Sequence, residues 1–281
     1  MRLSLFLAGA IALASLAAGL GFGWLRSQPI DEIDFMDVGQ GDCTVIRSQG
    51  AALLVDVGPA SPTFDAGKLI VVPKLRQWGV DSVSLILLTH PDQDHVGGLP
   101  ALMNRFPSAK VAISDQFRDN PKMLHVLTEA GVSPLDVIWL SKKQPGRLGD
   151  FTLTFDCPPY NNAEPDNDGC VFLKVSDGQA SAVLTADAPS EIEDEMLPDA
   201  DWSAQILKVG HHGSKFSCGE EWLRAVRPEF GVISCGQGNT YGDPSPLIEQ
   251  RLAESNVREF RTDRQGDIRF AVTKGRFARE P

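Results

Sequence analysis

Leu88-Thr89-His90-Pro91-Asp92-Gln93-Asp94-His95-Val96-Gly97-Gly98-Leu99 packs four residues of metal-ligand type into six positions. The apolar run Val83–Leu88 before it reads as a buried strand. Gly97-Gly98 and the run Leu99–Met103 after it read as a turn entering a helix. His90, Asp92, Asp94 and His95 therefore sit on a loop at the carboxyl end of a strand. His90 and Asp92 are two apart and point the same way in an extended segment. Asp94 and His95 come at the turn and face a second point. Such a loop suits two metal ions roughly 3.5–4 Å apart. The bland alternative is a capping, solvated Asp-rich turn. The histidines weigh against it. Of five in the chain, two lie here and two form Val209-Gly210-His211-His212-Gly213-Ser214, which again follows an apolar run, Ala204–Val209. His125 reads as an ordinary surface or packing histidine.

His-x-Asp-x-Asp-His followed by Gly-Gly resembles the metal motif of the metallo-β-lactamase superfamily. That motif commonly has His at the position of Asp92. The Asp variant is similar to the C-terminal domain of ComEC, a family of bacterial DNA-uptake channel proteins. Further stretches carry the same resemblance in order. They are Asp37–Asp42, Val55–Pro59, Leu184–Asp187, His211–Ser214, Asn239–Pro244 and Gly266–Phe270, and they span residues 33–270. The resemblance implies an α/β (α+β) fold, a four-layer αββα sandwich with the site at the strand ends. Strand and helix order alone gives only α/β or α+β.

The resemblance also implies a ligand set of His90, Asp92, Asp94, His95, Asp187 and His211. Asp187 bridges two divalent ions, Zn²⁺ or Mn²⁺. Asp94, Asp187 and His212 form the catalytic group, with His212 near the leaving group. Asp56 supports the metal loop from behind. Asp42, Asn167, Lys208, Lys215 and Asp243 are placed around the substrate or the ligands. Three departures stand out. A further metal-binding His common in relatives has no counterpart near residue 167, leaving Asn167 or water to serve. Asp243 stands where relatives carry His, and Ala186 where most carry Gly.

The chain has 281 residues, 42% apolar and 22% charged, which is ordinary globular composition. No linker or repeat divides residues 29–281, which read as one domain. The net charge of −11 argues against a general nucleic-acid-coating protein. Residues 251–281 nevertheless carry eight Lys or Arg against five Asp or Glu, a local +3, so an anionic substrate is not excluded. Residues 1–28 read as a signal peptide or a membrane anchor. Leu3 to Leu25 is an uncharged run of 23 residues between Arg2 and Arg26. Both readings export the domain to the periplasm or another extracytoplasmic face. Five cysteines cannot all pair internally. Cys157 with Cys170 and Cys218 with Cys235 are the bridges open to them, against isolated buried thiols.

These readings lead to an exported metal-dependent phosphodiesterase or nuclease that uses a metal-activated hydroxide on DNA, single-stranded DNA included. Two others compete with it. One is an exported hydrolase of a lactam, lactone or cell-wall phosphoester. The other is a non-enzymatic partner domain with a degraded metal site.

Overall fold

The computed structural model describes residues 31–159 and 166–280, except the side chain of Asp199. The proposed signal or anchor at 1–28 lies outside the described residues. Among those described, no helix is long and apolar enough to cross a membrane.

Two mixed sheets stack face to face. The first has eight strands in the order Arg276–Arg279, Ile268–Thr273, Glu32–Phe35, Thr44–Ser48, Ala51–Val55, Leu85–Leu88, Lys110–Ser114 and Val137–Leu140. Its last four strands run parallel and the others pair antiparallel. The second has seven, in the order Arg258–Arg261, Phe230–Ile233, Ile206–Lys208, Ser181–Leu184, Phe172–Ser176, Phe151–Asp156 and Gln144–Leu148. There the first four are parallel.

Alternation explains the layers. Ile33, Phe35, Ile46, Leu53 and Val55 of the first sheet meet Leu153, Phe155, Leu173, Ile206 and Val232 of the second in a central core. Val45, Leu54, Ile86 and Val111 face the other way, onto helices Val72–Gln77, Leu99–Arg105 and Pro121–Glu129. Val183, Leu207 and Ile233 likewise face helices Ser190–Met196, Glu220–Val226 and Pro246–Glu254. Two helix layers around two sheets make the expected αββα sandwich.

Glu193 ties helix Ser190–Met196 to the loop after the histidine pair. It is fully buried and accepts N–H bonds from Cys218 (3.0 Å) and Gly219 (2.8 Å). Burial pushes its carboxyl up to about 8, against the opposing pull of those two donors. Between the ordinary 4.5 and about 8 the folded chain keeps a proton that the unfolded chain has lost. Stability therefore falls as pH rises through this window. Melting temperatures from pH 5 to 9 should drop less steeply in Glu193→Gln than in the wild type. Equal slopes would contradict this.

All five cysteines are buried and unbridged, so neither proposed disulfide is formed. The basic C-terminal segment is committed internally. Arg261 pairs with Glu249 and Asp263, Arg269 with Asp34, and Arg276 with Glu229.

Candidate metal centre

The parallel strands of both sheets end on one side of the molecule, and the site is assembled from the loops that follow them. Strand Leu85–Leu88 delivers His90 to His95, and strand Ala51–Val55 delivers Asp56. Strand Ser181–Leu184 delivers Asp187, and strand Ile206–Lys208 delivers His211 and His212. Four residues depart from ordinary right-handed backbone here. Asp56, Ala186, His211 and His212 have φ of 58°, 51°, 50° and 55°. Such strain in non-glycine residues collects at functional sites. The positive φ at Ala186 is the physical reason a glycine would be at ease there. Gly97 and Gly98 permit close backbone approach. A Cβ on Gly97 would lie 2.2 Å from Ala60 N, and one on Gly98 2.3 Å from Val57 O.

Three imidazoles are held from behind by Nδ1, with Nε2 turned to a common centre. Thr89 Oγ1 donates to Asp56 Oδ2 (2.8 Å), so it can only accept from His90 Nδ1 (3.1 Å). His95 Nδ1 donates to Asp56 Oδ2 at 2.8 Å. His212 Nδ1 donates to the Ser234 carbonyl at 2.9 Å, and a carbonyl only accepts. Each hydrogen bond fixes the tautomer that leaves Nε2 for a ligand, the usual support of metal-bound histidine. Asp187 Oδ2 lies 3.3 Å from His95 Nε2 and 3.4 Å from His212 Nε2. Asp94 Oδ2 lies 3.1 Å from His212 Nε2.

Four compact donor groups result among the described residues, His90–His95–Asp187, Asp94–His95–His212, Asp42–Asp56–His95 and Asp42–Asp187–His212, each with donor atoms within 4.8 Å of one another. Buried His90 Nε2, His95 Nε2, Asp187 Oδ1 and Asn167 Oδ1 find no hydrogen-bond partner among the described residues. Unsatisfied buried groups are costly, and cations would satisfy those of His90, His95 and Asp187, which lie together. The donor set fits divalent metal.

Charge at the centre is interdependent. Burial disfavours an imidazolium at His95, but Asp187 and Asp56 outweigh it and hold its pKa well above the usual value. Burial is likewise overcome at His212 by Asp187 and the Asp94 hydrogen bond. Burial and the charge of His95 push His90 well below. Burial would raise Asp94, yet the His212 hydrogen bond and the charge of His95 hold it at about 2.

The geometry differs from several sequence-based expectations. His212, not His211, projects its Nε2 among Asp94, Asp187 and His95. His211 is one-third exposed, with Nε2 3.7 Å from Asp187, and belongs to none of the compact groups. Two successive residues with left-handed backbone turn the adjacent rings apart, by 72° between planes. Lys208 does not reach outward to a substrate. It is fully buried and its ammonium bonds Asp42, whose backbone N–H in turn donates to the Asp94 carbonyl (3.1 Å). The Lys208–Asp42 pair is thus a strut beneath the metal loop. Lys215 is exposed and lies over the Phe216 ring.

Asp92 stands apart from the compact groups. One oxygen is 3.8 Å from His90 Nε2 and the other accepts from Lys122 at 3.1 Å. Asp243 is half-buried. Burial raises its pKa against the nearby His211 and His212, which puts it on the histidine side of the site but outside the donor groups. Asp56 backs the loop as expected, accepting from Thr89 N (2.9 Å) as well. Sequence reasoning missed Thr89, Ser234 and Lys122. A Thr beside the first His is a readable signal. A carbonyl and a distant helix lysine are not.

Residues 36–237 match the family model described as "Metallo-beta-lactamase superfamily". The chain is 29% identical over 255 residues to ComE operon protein 3 of Bacillus subtilis, covering 85% of this chain and 33% of that protein. It is 29% identical to Recombination protein 2 of Haemophilus influenzae (86% and 29% covered) and 26% to Competence protein ComA of Neisseria gonorrhoeae (91% and 35%). It thus spans about a third of the length of these relatives. Among solved structures it resembles CmlA, a diiron β-hydroxylase from Streptomyces venezuelae, with a TM-score of 0.61 and 13% identity over 88% of this chain and 55% of that one. The metallo-β-lactamase fold protein YhfI from Bacillus subtilis gives 0.55 at 16% identity, over 86% and 100%. With the donor set, the αββα sandwich and the matched residues in agreement, the chain belongs to the metallo-β-lactamase superfamily.

Proposed function

We propose that this chain is a two-metal phosphodiesterase that acts on DNA. The observation that carries the reading is the set of three Nδ1-anchored imidazoles aimed at Asp187 and Asp94. When bound, Zn²⁺ or Mn²⁺ would lower the pKa of a water from 15.7 to about 7 and supply Lewis acidity at the phosphoryl oxygens. His90 and Asp187, with Asp92 near His90, would hold one ion. Asp94, His95 and His212 would hold the other, with Asp187 between the two. Asp56, Thr89 and Ser234 keep the imidazoles in the right tautomer and orientation. Lys122 neutralises one oxygen of Asp92 and stands at the rim, where an anionic substrate arrives. His211, one-third exposed and on the Asp243 side, would give a proton to a leaving oxygen. Competence-protein relatives add support for DNA as the substrate.

A direct comparison tests this. Mn²⁺- or Zn²⁺-loaded protein is given bis(p-nitrophenyl) phosphate, labelled single-stranded DNA and a chromogenic lactam, each beside His90→Ala. Metal-dependent cleavage of both phosphodiesters, lost in the variant, is expected. Turnover of the lactam alone would overturn the reading. Export is proposed on the uncharged run Leu3–Leu25, either as a cleaved signal or as an anchor. External protease should then reach the domain in cells with a permeabilised outer envelope, and a fully protected product would contradict export.

A further inference from the structure

Aromatic side chains in this protein are mostly buried, and the exceptions are not scattered. Among the described residues the exposed large aromatics are Phe64, Phe216 and Tyr241, at 37%, 61% and 75% exposure. Phe216 and Tyr241 stand on loops beside the metal centre, and Phe64 on a small hairpin beside it. Phe64 belongs to the small hairpin of Ala60–Ser61 and Phe64–Asp65, whose Ala60 carbonyl accepts from Gln93 (3.2 Å) of the metal loop. Phe216 follows the histidine pair by four residues, and Tyr241 precedes Asp243 by two.

The two most exposed rings are carried by pinned backbone. The Phe216 carbonyl accepts from both the N–H and the hydroxyl of Ser190 at 2.8 Å, and Ser217 Oγ donates to the Ala188 carbonyl at 2.7 Å. The turn bearing Tyr241 is wrapped around one side chain. Asn239 Oδ1 accepts from the N–H groups of Tyr241, Gly242 and Asp243 at 3.1, 3.1 and 3.2 Å. The two loops abut, since Ser245 N donates to the Gly213 carbonyl at 2.9 Å and Pro244 fills the space where Gly213 lacks a Cβ. Lys215 holds its ammonium 5.0 Å from the centre of the Phe216 ring.

Flat faces beside a cation, next to a centre that takes phosphodiesters, match the composition of single-strand binding surfaces. Bases stack there on aromatics and phosphates meet isolated cations. We propose that Phe216 and Tyr241, with Lys215, form a base-stacking platform, so that the substrate is a single-stranded nucleic acid held through its bases. This rests on the phosphodiesterase reading for the choice of ligand. The platform explains how a chain of net charge −11 engages DNA. Stacking contributes about 1–3 kcal/mol per base and needs few phosphate contacts. Duplex DNA, with its bases already stacked, gains nothing from it.

Binding alone tests the platform. Fluorescence anisotropy is measured on the full chain with a phosphorothioate-linked 12-mer of thymidylate, which resists cleavage, and with its abasic counterpart. Phe216→Ala and Tyr241→Ala should each weaken thymidylate binding about 5- to 150-fold, with unchanged melting temperatures. Phe216→Trp should retain it. The abasic strand should bind wild type and variants equally weakly. The proposal is overturned if the double alanine variant binds thymidylate like the wild type, if both strands lose affinity equally, or if the wild type binds neither. Loss of binding to phosphatidylglycerol vesicles in the alanine variants, with thymidylate binding intact, would assign the rings to a membrane instead. Failure of bis(p-nitrophenyl) phosphate turnover would count against the phosphodiesterase reading and leave the anisotropy result to judge the platform separately.

Discussion

Asp187→Ala is expected to strip the protein of most bound metal and to abolish hydrolysis. The Asp187 carboxylate is buried, with Oδ2 within 3.4 Å of both His95 and His212 and Oδ1 without a hydrogen-bond partner among the described residues. Asp187 approaches both His95 and His212, whereas Asp94 faces His212, Asp56 is committed to Thr89 and His95, and Asp42 is bonded to Lys208. The loss in metal affinity should exceed the 10–100-fold typical of groups that only orient a ligand. Elemental analysis after Mn²⁺ or Zn²⁺ loading, run beside Asp243→Ala, reads it out. Asp243 lies outside the donor groups and should cost less metal. Equal metal content in Asp187→Ala and wild type would refute the bridging role.

The adjacent histidines should separate cleanly in a second comparison. His212→Ala removes an Nε2 that sits between Asp94 and Asp187 and leaves those carboxylates facing one another. A large loss of metal, and of activity by about 10²-fold or more, is expected from removing a group that stabilises charge in the transition state. His211→Ala should keep near-normal metal content. Its effect should fall on turnover, and least with substrates whose leaving group needs no proton, such as p-nitrophenolate. If His211→Ala loses the metal and His212→Ala keeps it, the assignment made from the geometry is wrong.

Much of the fold was readable one segment at a time. Strands Lys110–Ser114 and Val137–Leu140 stand where short apolar runs mark them, and helices Pro121–Glu129 and Pro246–Glu254 start at prolines, which suit a first helical turn. Strand Gln144–Leu148 escaped because Pro145 and Gly146 argue against a strand interior. It is an edge strand, where the missing donor does no harm. The small hairpin around Phe64 and the closing strand Arg276–Arg279 are too short or too polar to announce themselves.

By itself the sequence determined that this protein carries a His/Asp metal loop after a buried strand, and a second pair of histidines after another. Residue type and spacing along one short segment are enough for that. Its resemblance to a known superfamily extended the same reading to Asp56 and Asp187. Only the tertiary structure turns His212 Nε2 toward Asp94 and Asp187, because that depends on two left-handed backbone positions and on the Ser234 carbonyl after another strand. It also turned Lys208 from a substrate contact into a buried partner of Asp42, since the neighbours of a strand's last residue come from the opposite sheet. The orientation of an imidazole and the burial of a lysine are set by segments far away in the chain, and no local pattern encodes them.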